Sequence, residues 1–385
     1  MNFDLSPEQN DLRQSIRSFA EKEIAPKAAE LDEKEEFSYE LTNQMAEMGL
    51  FGMIIPEQYG GQGLDYLSYI IAVEELARVD ASQAATVAAD NSLGINPIYY
   101  FGNEEQKKYW LPNLCSGKML AGFGLTEADA GSDASASRTT AVKDGNEWVI
   151  NGSKMFITNA ANDLTGVVIV QAVTDRRADG RPELTCFLVP ADTKGFEAKP
   201  LHGKMVWRAS NTAQLFFNDC RVPASNMLGK QGEGFKQMMR TLDGGRLSIG
   251  AMGLGGAQGA FELGLKYAKE REQFGRPIGE FQVNAFKIAD MALQVEAARN
   301  LLYKACFFAN EGRPYGQAGA MAKLYCSEVM RMCVHHSQQL HGGYGLMKEY
   351  AIERFYRDQR LLEVGEGTSE IQRLVIARSL GLNVR

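Results

Sequence analysis

Four short segments of the 385-residue chain combine residue types that could do chemistry. In the first, residues 124–133 (GLTEADAGSD), glycines stand beside the hydroxyls of Thr126 and Ser132. Glycine lets the backbone approach a flat ligand closely, and the hydroxyls could form hydrogen bonds with it. A polar turn without a ligand would carry the same residues, so this segment alone does not decide between the two.

The second segment, residues 154–159 (KMFITN), places an aromatic ring two positions before a hydroxyl. Phe156 and Thr158 could therefore line a ring system together. The segment follows Asn151-Gly152, a dipeptide typical of tight turns, and we expect it to start a β-strand. An ordinary strand without a ligand is the alternative.

The third and fourth segments offer helix ends to a ligand. Residues 339–345 (QLHGGYG) end a predicted helix with two glycines, which form either a C-cap or a place where backbone N–H groups meet a phosphate. In residues 366–372 (EGTSEIQ), Thr368 or Ser369 can cap the last helix, so its N–H groups could face an anion. Glu366, just before that cap, is of a residue type that acts as a general base.

The elements that must position these segments change type twice along the chain. Helical spacing of apolar residues predominates before residue 120, short β-branched and aromatic runs follow, and long helical patterns return near residue 230. The predicted strands span residues 148–150, 166–173, 184–189 and 213–217. The longest predicted helices span residues 65–79, 81–101, 233–271, 281–310, 314–341 and 348–382.

This order predicts an α+β fold of three domains. We expect an N-terminal all-α domain in residues 1–120, a small antiparallel β-domain in residues 121–229 and a C-terminal four-helix bundle in residues 230–385. Strands do not alternate with helices and no GxGxxG follows a strand, which argues against a Rossmann fold. The lack of a GxxxxGKS or GxxxxGKT motif argues against a P-loop enzyme.

Composition argues against several functional classes. The 41 basic and 48 acidic residues give a formal net charge of −7, which disfavours a broad nucleic-acid-binding surface. No apolar run reaches the roughly 18–20 residues of a membrane span, and the start MNFDLSPEQNDLRQ lacks the pattern of a secretory signal, so we expect a cytoplasmic protein. The six cysteines show no CxxC spacing and the four histidines no HExxH, so we expect reduced core thiols and no metal site.

Together the motifs resemble the acyl-CoA dehydrogenase family over the whole chain. The likeness includes the α–β–α order, the four segments above, residues 242–246 (LDGGR) and residues 271–275 (REQFG). One such string could occur by coincidence, whereas all of them in this order would not.

The resemblance implies an FAD-dependent enzyme that oxidises acyl-CoA thioesters to 2-enoyl-CoA. In that family a base removes the α-proton, and the β-hydrogen leaves as a hydride to the flavin N5. The likeness makes Glu366 the base, because it occupies the family's glutamate before Gly-Thr. Some members carry the base instead on the helix near residues 242–246, where Gly245 stands in this chain and cannot serve.

The resemblance also implies where the cofactor binds. The residues expected along the flavin are Phe123, Leu125, Thr126 and Ser132 on one side and Phe156, Ile157 and Thr158 on the other, with the Thr158 hydroxyl near N5. The residues expected to reach the FAD diphosphate and adenine from a neighbouring subunit are Arg271, Gln273, Phe274, Gln282, Gln339, Gly342 and Gly343. Thr368 and Glu370 would complete the site. Such sharing implies an obligate homo-oligomer, and family members are usually tetramers.

The implied substrate-binding residues are Ser132, Asp90, Asp243, Arg246, Gly365 and Gly367, of which Asp243 and Arg246 resemble contacts to the CoA moiety. Two of them depart from the usual pattern. Gly365 stands where short-chain members often have tyrosine and would widen the acyl pocket, while Asp90 puts a carboxylate where a neutral residue or histidine is usual. A wide pocket suits a ring, as in cyclohexane- or cyclohex-1-ene-carboxyl-CoA, with Asp90 as a second base that permits dienoyl-CoA formation. Asp90 could instead pair with a substrate cation or bond a neighbouring helix.

The main alternative substrate is a straight short chain such as butyryl-CoA, which the rest of the sequence favours. Oxygen chemistry on the flavin and a non-catalytic FAD- or acyl-CoA-binding relative are further alternatives, and the intact Glu366 argues against both. The resemblance implies an electron-transferring flavoprotein as redox partner, with neither nucleic acid nor membrane as a partner.

Overall fold

The computed structural model describes residues 4–384, and its elements follow the predicted order of helices, sheet and helices. Within this range seven α-helices precede the sheet: α1 (Pro7–Phe19), α2 (Ala25–Lys34), α3 (Tyr39–Glu47), α4 (Tyr66–Ala77), α5 (Ala81–Ala89), α6 (Asn96–Phe101) and α7 (Glu104–Cys115). The first begins with a capping box, in which the Ser6 side chain accepts from the Gln9 N–H and the Gln9 side chain accepts from the Ser6 N–H.

A π-helical turn, Asp90–Ile95, joins α5 to α6. The predicted helix over residues 81–101 is therefore continuous but widened, and Asp90 begins the wide turn. Two local features favour it. The side chains of Asn91 and Ser92 donate to carbonyl groups one turn back, and Pro97 has no N–H for the regular helical ladder. Single π-turns inside α-helices often mark functional sites.

The middle of the chain forms a sheet of eight strands: β1 (Leu120–Gly124), β2 (Thr140–Asp144), β3 (Glu147–Thr158), β4 (Thr165–Arg176), β5 (Pro182–Pro190), β6 (Phe196–Pro200), β7 (Thr212–Pro223) and β8 (Met227–Leu228). The strand order is β6-β7-β3-β2-β4-β5-β8, and β1 also pairs with β4. Most pairs are antiparallel, as expected, but β1 lies parallel to β4. Sequence patterns did not predict β1 because two of its five residues are glycines, which have low strand propensity.

The prediction of a turn at Asn151-Gly152 is wrong. Both residues lie inside β3, where the pairing with β7 shifts register between Ile150 and Gly152. Gly152 adopts a φ of +144°, and a Cβ there would lie 2.6 Å from the hydroxyl oxygen of Thr139. The dipeptide is thus a β-bulge that bends a long strand. Residues 154–159 consequently run to the end of that strand rather than start one.

In the described range five α-helices follow the sheet: α8 (Gly234–Glu270), α9 (Gln282–Asn310), α10 (Gly316–His341), α11 (Ile352–Leu362) and α12 (Ser369–Ser379). A hairpin of β9 (Glu272–Gln273) and β10 (Arg276–Pro277) joins α8 to α9. The single helix predicted over residues 348–382 is wrong, because a turn separates α11 from α12. In that turn Glu366 and Gly367 have φ values of +50° and +93°, which no α-helix accommodates.

The helices before and after the sheet share one core. One buried cluster joins Val73 of α4 to Leu254 of α8 and Met330 of α10. A second cluster packs the helical layer against the sheet and includes Leu114 of α7 and Ile169 of β4. The junction between helices and sheet is therefore apolar, so any charge placed there is shielded from water.

No helix within residues 4–384 combines the length and apolarity needed to cross a bilayer. All six cysteines are buried and none forms a disulfide, which confirms that they are core thiols. Burial raises the pKa of Cys186 to about 12, so this thiol stays protonated at neutral pH.

We expect Gly255→Ala to destabilise the protein. Gly255 lies where α8 crosses α4, and a Cβ there would overlap the Glu74 carbonyl oxygen and lie 3.0 Å from the Arg78 backbone nitrogen. Backbone atoms cannot move aside as a side chain would, so the free energy of unfolding should fall by about 1–3 kcal/mol. The matched control is Gly244→Ala in the same helix, where a Cβ would meet nothing closer than 3.7 Å. Equal thermal unfolding of the two variants would contradict this packing.

Candidate active site

Glu366 lies in the turn between α11 and α12, with its carboxylate against α8. A Cβ built on Gly245 would overlap the Glu366 Oε2 atom, so the carboxylate occupies the space that this glycine leaves open. Oε2 is buried, and among residues 4–384 it has no hydrogen-bond partner. The positive φ at Glu366 is rare for a residue with a side chain, and such strain clusters at functional sites. The turn therefore presents a carboxylate that can accept a proton.

The electrostatic surroundings of Glu366 suit a base. Burial raises the pKa of Glu366 to about 7, while Lys323 and Arg246 act to lower it. A general base works best with a pKa near the operating pH. Burial also raises the pKa of the Tyr69 phenol, and both Glu366 and Asp90 add to that rise. Both carboxylates therefore act on the same buried phenol.

Asp90 is fully buried at the start of the π-turn. Its Oδ1 atom accepts a hydrogen bond from the backbone N–H of Ala121 at 2.8 Å, which ties α5 to the first residues of β1. Its Oδ2 atom is buried and has no hydrogen-bond partner in the part of the chain that the structure describes. Burial raises the pKa of Asp90 well above its usual range. One oxygen of Asp90 is thus bonded to a strand, not to a neighbouring helix, and the other is unused.

The structure brings the first two segments together. The backbone N–H of Met155 donates to the Thr126 carbonyl at 2.9 Å, so the loop after β1 lies along the end of β3. Phe156 is 67% exposed with a φ of +64°, which displays its ring on the surface of this pair. Phe123, Thr126 and Thr158 are half-buried beside it.

Three of the predicted flavin residues lie differently from the rest. Leu125 and Ile157 are buried and pack in the apolar core, so their side chains do not line the surface. Ser132 is exposed on the loop beyond Thr126.

A buried ion pair that the sequence analysis missed joins the two segments. The Lys154 ammonium donates to Glu127 Oε1 at 2.7 Å, to Ser137 Oγ at 3.1 Å and to the Leu125 carbonyl at 3.2 Å. Lys154 is completely buried and Glu127 nearly so. Although burial acts to raise it, the pKa of Glu127 falls to about 2, chiefly because of Lys154. The sequence signal for this pair was an acidic residue, Glu127, in the first segment and a lysine, Lys154, at the start of the second.

A second group of predicted cofactor residues gathers on a separate surface. All members are exposed: Arg271, Gln273, Phe274, Gln282, Gln339, Gly342 and Gly343. The Arg271 guanidinium lies 5.8 Å from the centre of the Tyr344 ring, which joins the start of the β9–β10 hairpin to the end of α10. Phe274 at the hairpin tip is 94% exposed with a φ of +55°.

Helix α8 separates this surface from Glu366. Gly245 contacts the Glu366 carboxylate, and Arg271 caps the same helix at its far end. At 1.5 Å per residue, the rise over the 26 helical steps from Gly245 to Arg271 is about 39 Å. Within one chain, the exposed group around Arg271 therefore lies far from the Glu366 carboxylate.

The remaining predicted residues surround the Glu366 turn. Arg246 forms an ion pair with Asp243 one turn earlier on α8. Thr368 caps α12 by accepting from the Ile371 N–H at 3.3 Å, and Glu370 is exposed in the first turn. A Cβ on Gly365 would meet only Leu361, at 3.4 Å or more, so glycine there leaves free space rather than relieving strain.

The sequence analysis also missed Lys323. This α10 residue is fully buried, and its Nζ atom donates to the Gly367 carbonyl at 2.7 Å, directly after Glu366. Burial lowers the pKa of Lys323 to about 8, against the opposing effect of Glu366. The sequence signal for a buried lysine was its position among small and apolar residues (AGAMAKLYC) in a predicted bundle helix.

Comparison with known proteins identifies the family. Family models for the acyl-CoA dehydrogenase N-terminal, middle and C-terminal domains match residues 6–118, 122–220 and 232–381. The probable acyl-CoA dehydrogenase YngJ of Bacillus subtilis is 49% identical over 380 residues, covering 99% of this chain and 100% of the relative. The chain belongs to the acyl-CoA dehydrogenase family.

Solved structures agree with this assignment. Butyryl-CoA dehydrogenase from Megasphaera elsdenii has a TM-score of 0.96 at 42% identity, with 99% of this chain and 100% of that chain covered. A chain from the study of the electron transferring flavoprotein of Acidaminococcus fermentans has a TM-score of 0.95 at 44% identity, with 99% of both chains covered. This acyl-CoA dehydrogenase is an FAD-dependent oxidoreductase that acts on CH–CH bonds, as the sequence motifs predict.

The residues of this surface fit a flavin. The exposed ring of Phe156, the half-buried hydroxyls of Thr126 and Thr158, and the open backbone around them form a surface that a flat ring system would cover. When bound there, FAD supplies the two-electron acceptor of the reaction. The Lys154–Glu127 pair keeps the two sides of this surface in register.

We expect Lys154→Met to weaken both the fold and FAD retention. The change leaves Glu127 as a buried carboxylate without its cation, which should cost about 3–5 kcal/mol of stability. The measurements are thermal unfolding and the ratio of flavin to protein absorbance after dialysis.

The control is Lys34→Met, which removes an exposed i,i+4 pair with Glu30 and should change neither readout. A Lys154→Met protein that keeps wild-type FAD content and unfolding temperature would show that the pair does not hold the two segments.

Proposed function

We propose that Glu366 is the base that removes the α-proton of an acyl-CoA thioester in this dehydrogenase. The observation that carries the proposal is the buried Oε2 atom, which lies against Gly245 with no hydrogen-bond partner among the described residues. An α-C–H of a thioester is a weak acid, so its removal needs an ionised carboxylate that is not already committed to another donor. Arg246 and Asp243 on α8 are proposed to contact the CoA part of the substrate, with Ser132 and Gly367 at its edges.

The proposed cofactor site uses two chains. Phe123, Thr126, Ser132, Phe156, Thr158, Thr368 and Glu370, together with the backbone of Leu125 and Ile157, would hold the flavin end. Because about 39 Å of α8 separates Gly245 from Arg271, the group of Arg271, Gln273, Phe274, Gln282, Gln339, Gly342 and Gly343 would serve the FAD of a neighbouring subunit. Val283, Phe286 and Leu293 of α9 are each more than 60% exposed, which supports burial against another copy. We propose a homo-oligomer, as a tetramer.

The substrate is proposed to be a short straight-chain acyl-CoA. The similarity to butyryl-CoA dehydrogenase from Megasphaera elsdenii over the whole chain supports this choice. The second candidate is a ring-bearing acyl-CoA, with Asp90 as a second base. It is favoured by the free space beside Gly365 and by the unused Oδ2 of Asp90.

An electron-transferring flavoprotein is the proposed redox partner, supported by the similarity to the Acidaminococcus fermentans chain. We further propose a cytoplasmic location, because six unpaired thiols suit a reducing compartment.

The domain boundaries are proposed to lie at residues 120–121 and 229–230.

Glu366→Gln should abolish flavin reduction. The amide cannot take the α-proton, so anaerobic bleaching of the flavin band by butyryl-CoA should slow by about 10²–10⁴-fold or more. In the wild type the rate at limiting substrate should rise with pH through about 7, because the ionised form of Glu366 is the active one.

The matched control is Glu105→Gln, an exposed glutamate on α7. It should leave the bleaching rate and its pH profile unchanged. Wild-type bleaching by Glu366→Gln would remove Glu366 from the role of base.

Asp90→Asn tests the substrate proposal. If the substrate is a short straight chain, the variant should bleach with butyryl-CoA at close to the wild-type rate, because asparagine Oδ1 can still accept from the Ala121 N–H. Both proteins are also tested with cyclohexanecarboxyl-CoA and cyclohex-1-enecarboxyl-CoA, and the products are identified by mass.

The second candidate would be favoured if the ring compounds bleach the wild-type flavin rapidly and no longer bleach the flavin of the Asp90→Asn variant. Unchanged rates with every acyl-CoA would return Asp90 to a structural role.

A further inference from the structure

Lys323 is a buried cation without a salt bridge. Within residues 4–384 its ammonium group forms no ion pair, and its hydrogen bond goes to a backbone carbonyl, that of Gly367. Burial of a charge without a paired carboxylate costs free energy. An apolar side chain of the same length would fill this space at a lower cost in free energy. We therefore infer that the charge of Lys323 has a role beyond packing.

The carbonyl that Lys323 binds belongs to the strained part of the Glu366 turn. Glu366 and Gly367 are consecutive residues with positive φ. The Gly367 carbonyl also accepts from the side-chain amide of Gln372, a fully buried residue, at 2.9 Å. Lys323 and Gln372 therefore hold this carbonyl from two helices, α10 and α12, and over-determine a turn that would otherwise relax.

Lys323 is also the positive charge that acts most strongly on the base. It is the strongest of the charges that lower the pKa of Glu366 against burial, with Arg246 of α8 second. The same coupling appears in reverse, since Glu366 is the strongest of the charges that raise the pKa of Lys323. Because the ammonium binds the next carbonyl rather than the carboxylate, Oε2 keeps its lone pairs for a substrate proton.

Apart from Arg246, the other groups around Glu366 do not supply positive charge. From α4 comes the neutral Tyr69, and from the π-turn the carboxylate of Asp90, both fully or almost fully buried. Glu363 on the α11 side is held by Arg331 and Arg360. Glu370 on α12 is exposed and acts on Lys323 more weakly than Glu366 does.

We propose that Lys323 is a positioning residue for the catalytic base: its ammonium group holds the Glu366–Gly367 turn against α10 and favours the ionised form of the Glu366 carboxylate. This inference rests on the proposed function, because it takes Glu366 to be the base. It adds that proton abstraction depends on a charge that never touches the substrate.

The test compares four variants of the FAD-loaded enzyme: Lys323→Met, Lys323→Gln, Lys323→Arg and Gln372→Met. Methionine removes charge and donor, glutamine removes the charge but keeps a donor, and arginine keeps the charge. Gln372→Met removes the second hydrogen bond to Gly367 and keeps the lysine. The readout is the pH dependence of anaerobic flavin bleaching at limiting butyryl-CoA, with flavin content and thermal unfolding as checks on the fold.

The acidic limb of that profile should move to higher pH in both neutral variants, by about one unit, since a tenfold change in the ionisation equilibrium corresponds to one pKa unit. Lys323→Arg should restore the wild-type limb. Gln372→Met should lower the rate at every pH without moving the limb, because the charge is intact. A purely structural lysine would lower rates or FAD content and leave the limb in place.

An unmoved limb in Lys323→Gln, or a limb that moves in Gln372→Met, would overturn the inference. If Lys323→Met fails to fold, Lys323→Gln and Gln372→Met still decide it. The Glu366→Gln variant distinguishes a wrong role for Lys323 from a wrong assignment of the base. An inert Glu366→Gln with unmoved limbs contradicts only the role of Lys323, whereas an active Glu366→Gln contradicts the base itself.

Discussion

The desolvation of Glu366 is the constraint on which the site depends. A carboxylate in water has a pKa too low for it to hold a proton taken from a weak carbon acid, and burial in the apolar junction raises that pKa to about 7. Burial without any nearby positive charge would keep the carboxyl group protonated and neutral. Positive charge from Lys323 and Arg246 offsets part of the burial, and Gly245 leaves the space in which the carboxylate fits.

The surface proposed to bind the flavin is built on a different buried charge. Lys154 and Glu127 form an ion pair in which each charged group also has hydrogen bonds from its surroundings. Such a pair stabilises little compared with apolar packing, but removal of one partner is costly. Its contribution is geometric, because it fixes the loop that carries Thr126 against the strand that carries Phe156.

Helix α8 relates these sites to the rest of the molecule. Its 37 residues run past the Glu366 turn to the β9–β10 hairpin, and glycines allow it to cross α4 and to face Glu366 at close range. The same length carries Arg271 far from the Glu366 turn of its own chain. The cofactor site proposed above, shared between two subunits, would follow from the length of this one helix.

The sequence by itself determined the family, the helix–sheet–helix order and the three long helices α8, α9 and α10, because each depends on local patterns or motif strings. The same strings singled out Glu366 as the proposed base. It did not determine the break between α11 and α12, the bulge at Gly152 or the parallel pairing of β1, because glycine permits many conformations and only long-range contacts select one. Nor did it show the partners of Lys154, Lys323 and Asp90. Tertiary structure decided these, since the effect of a buried charge depends on which distant groups surround it.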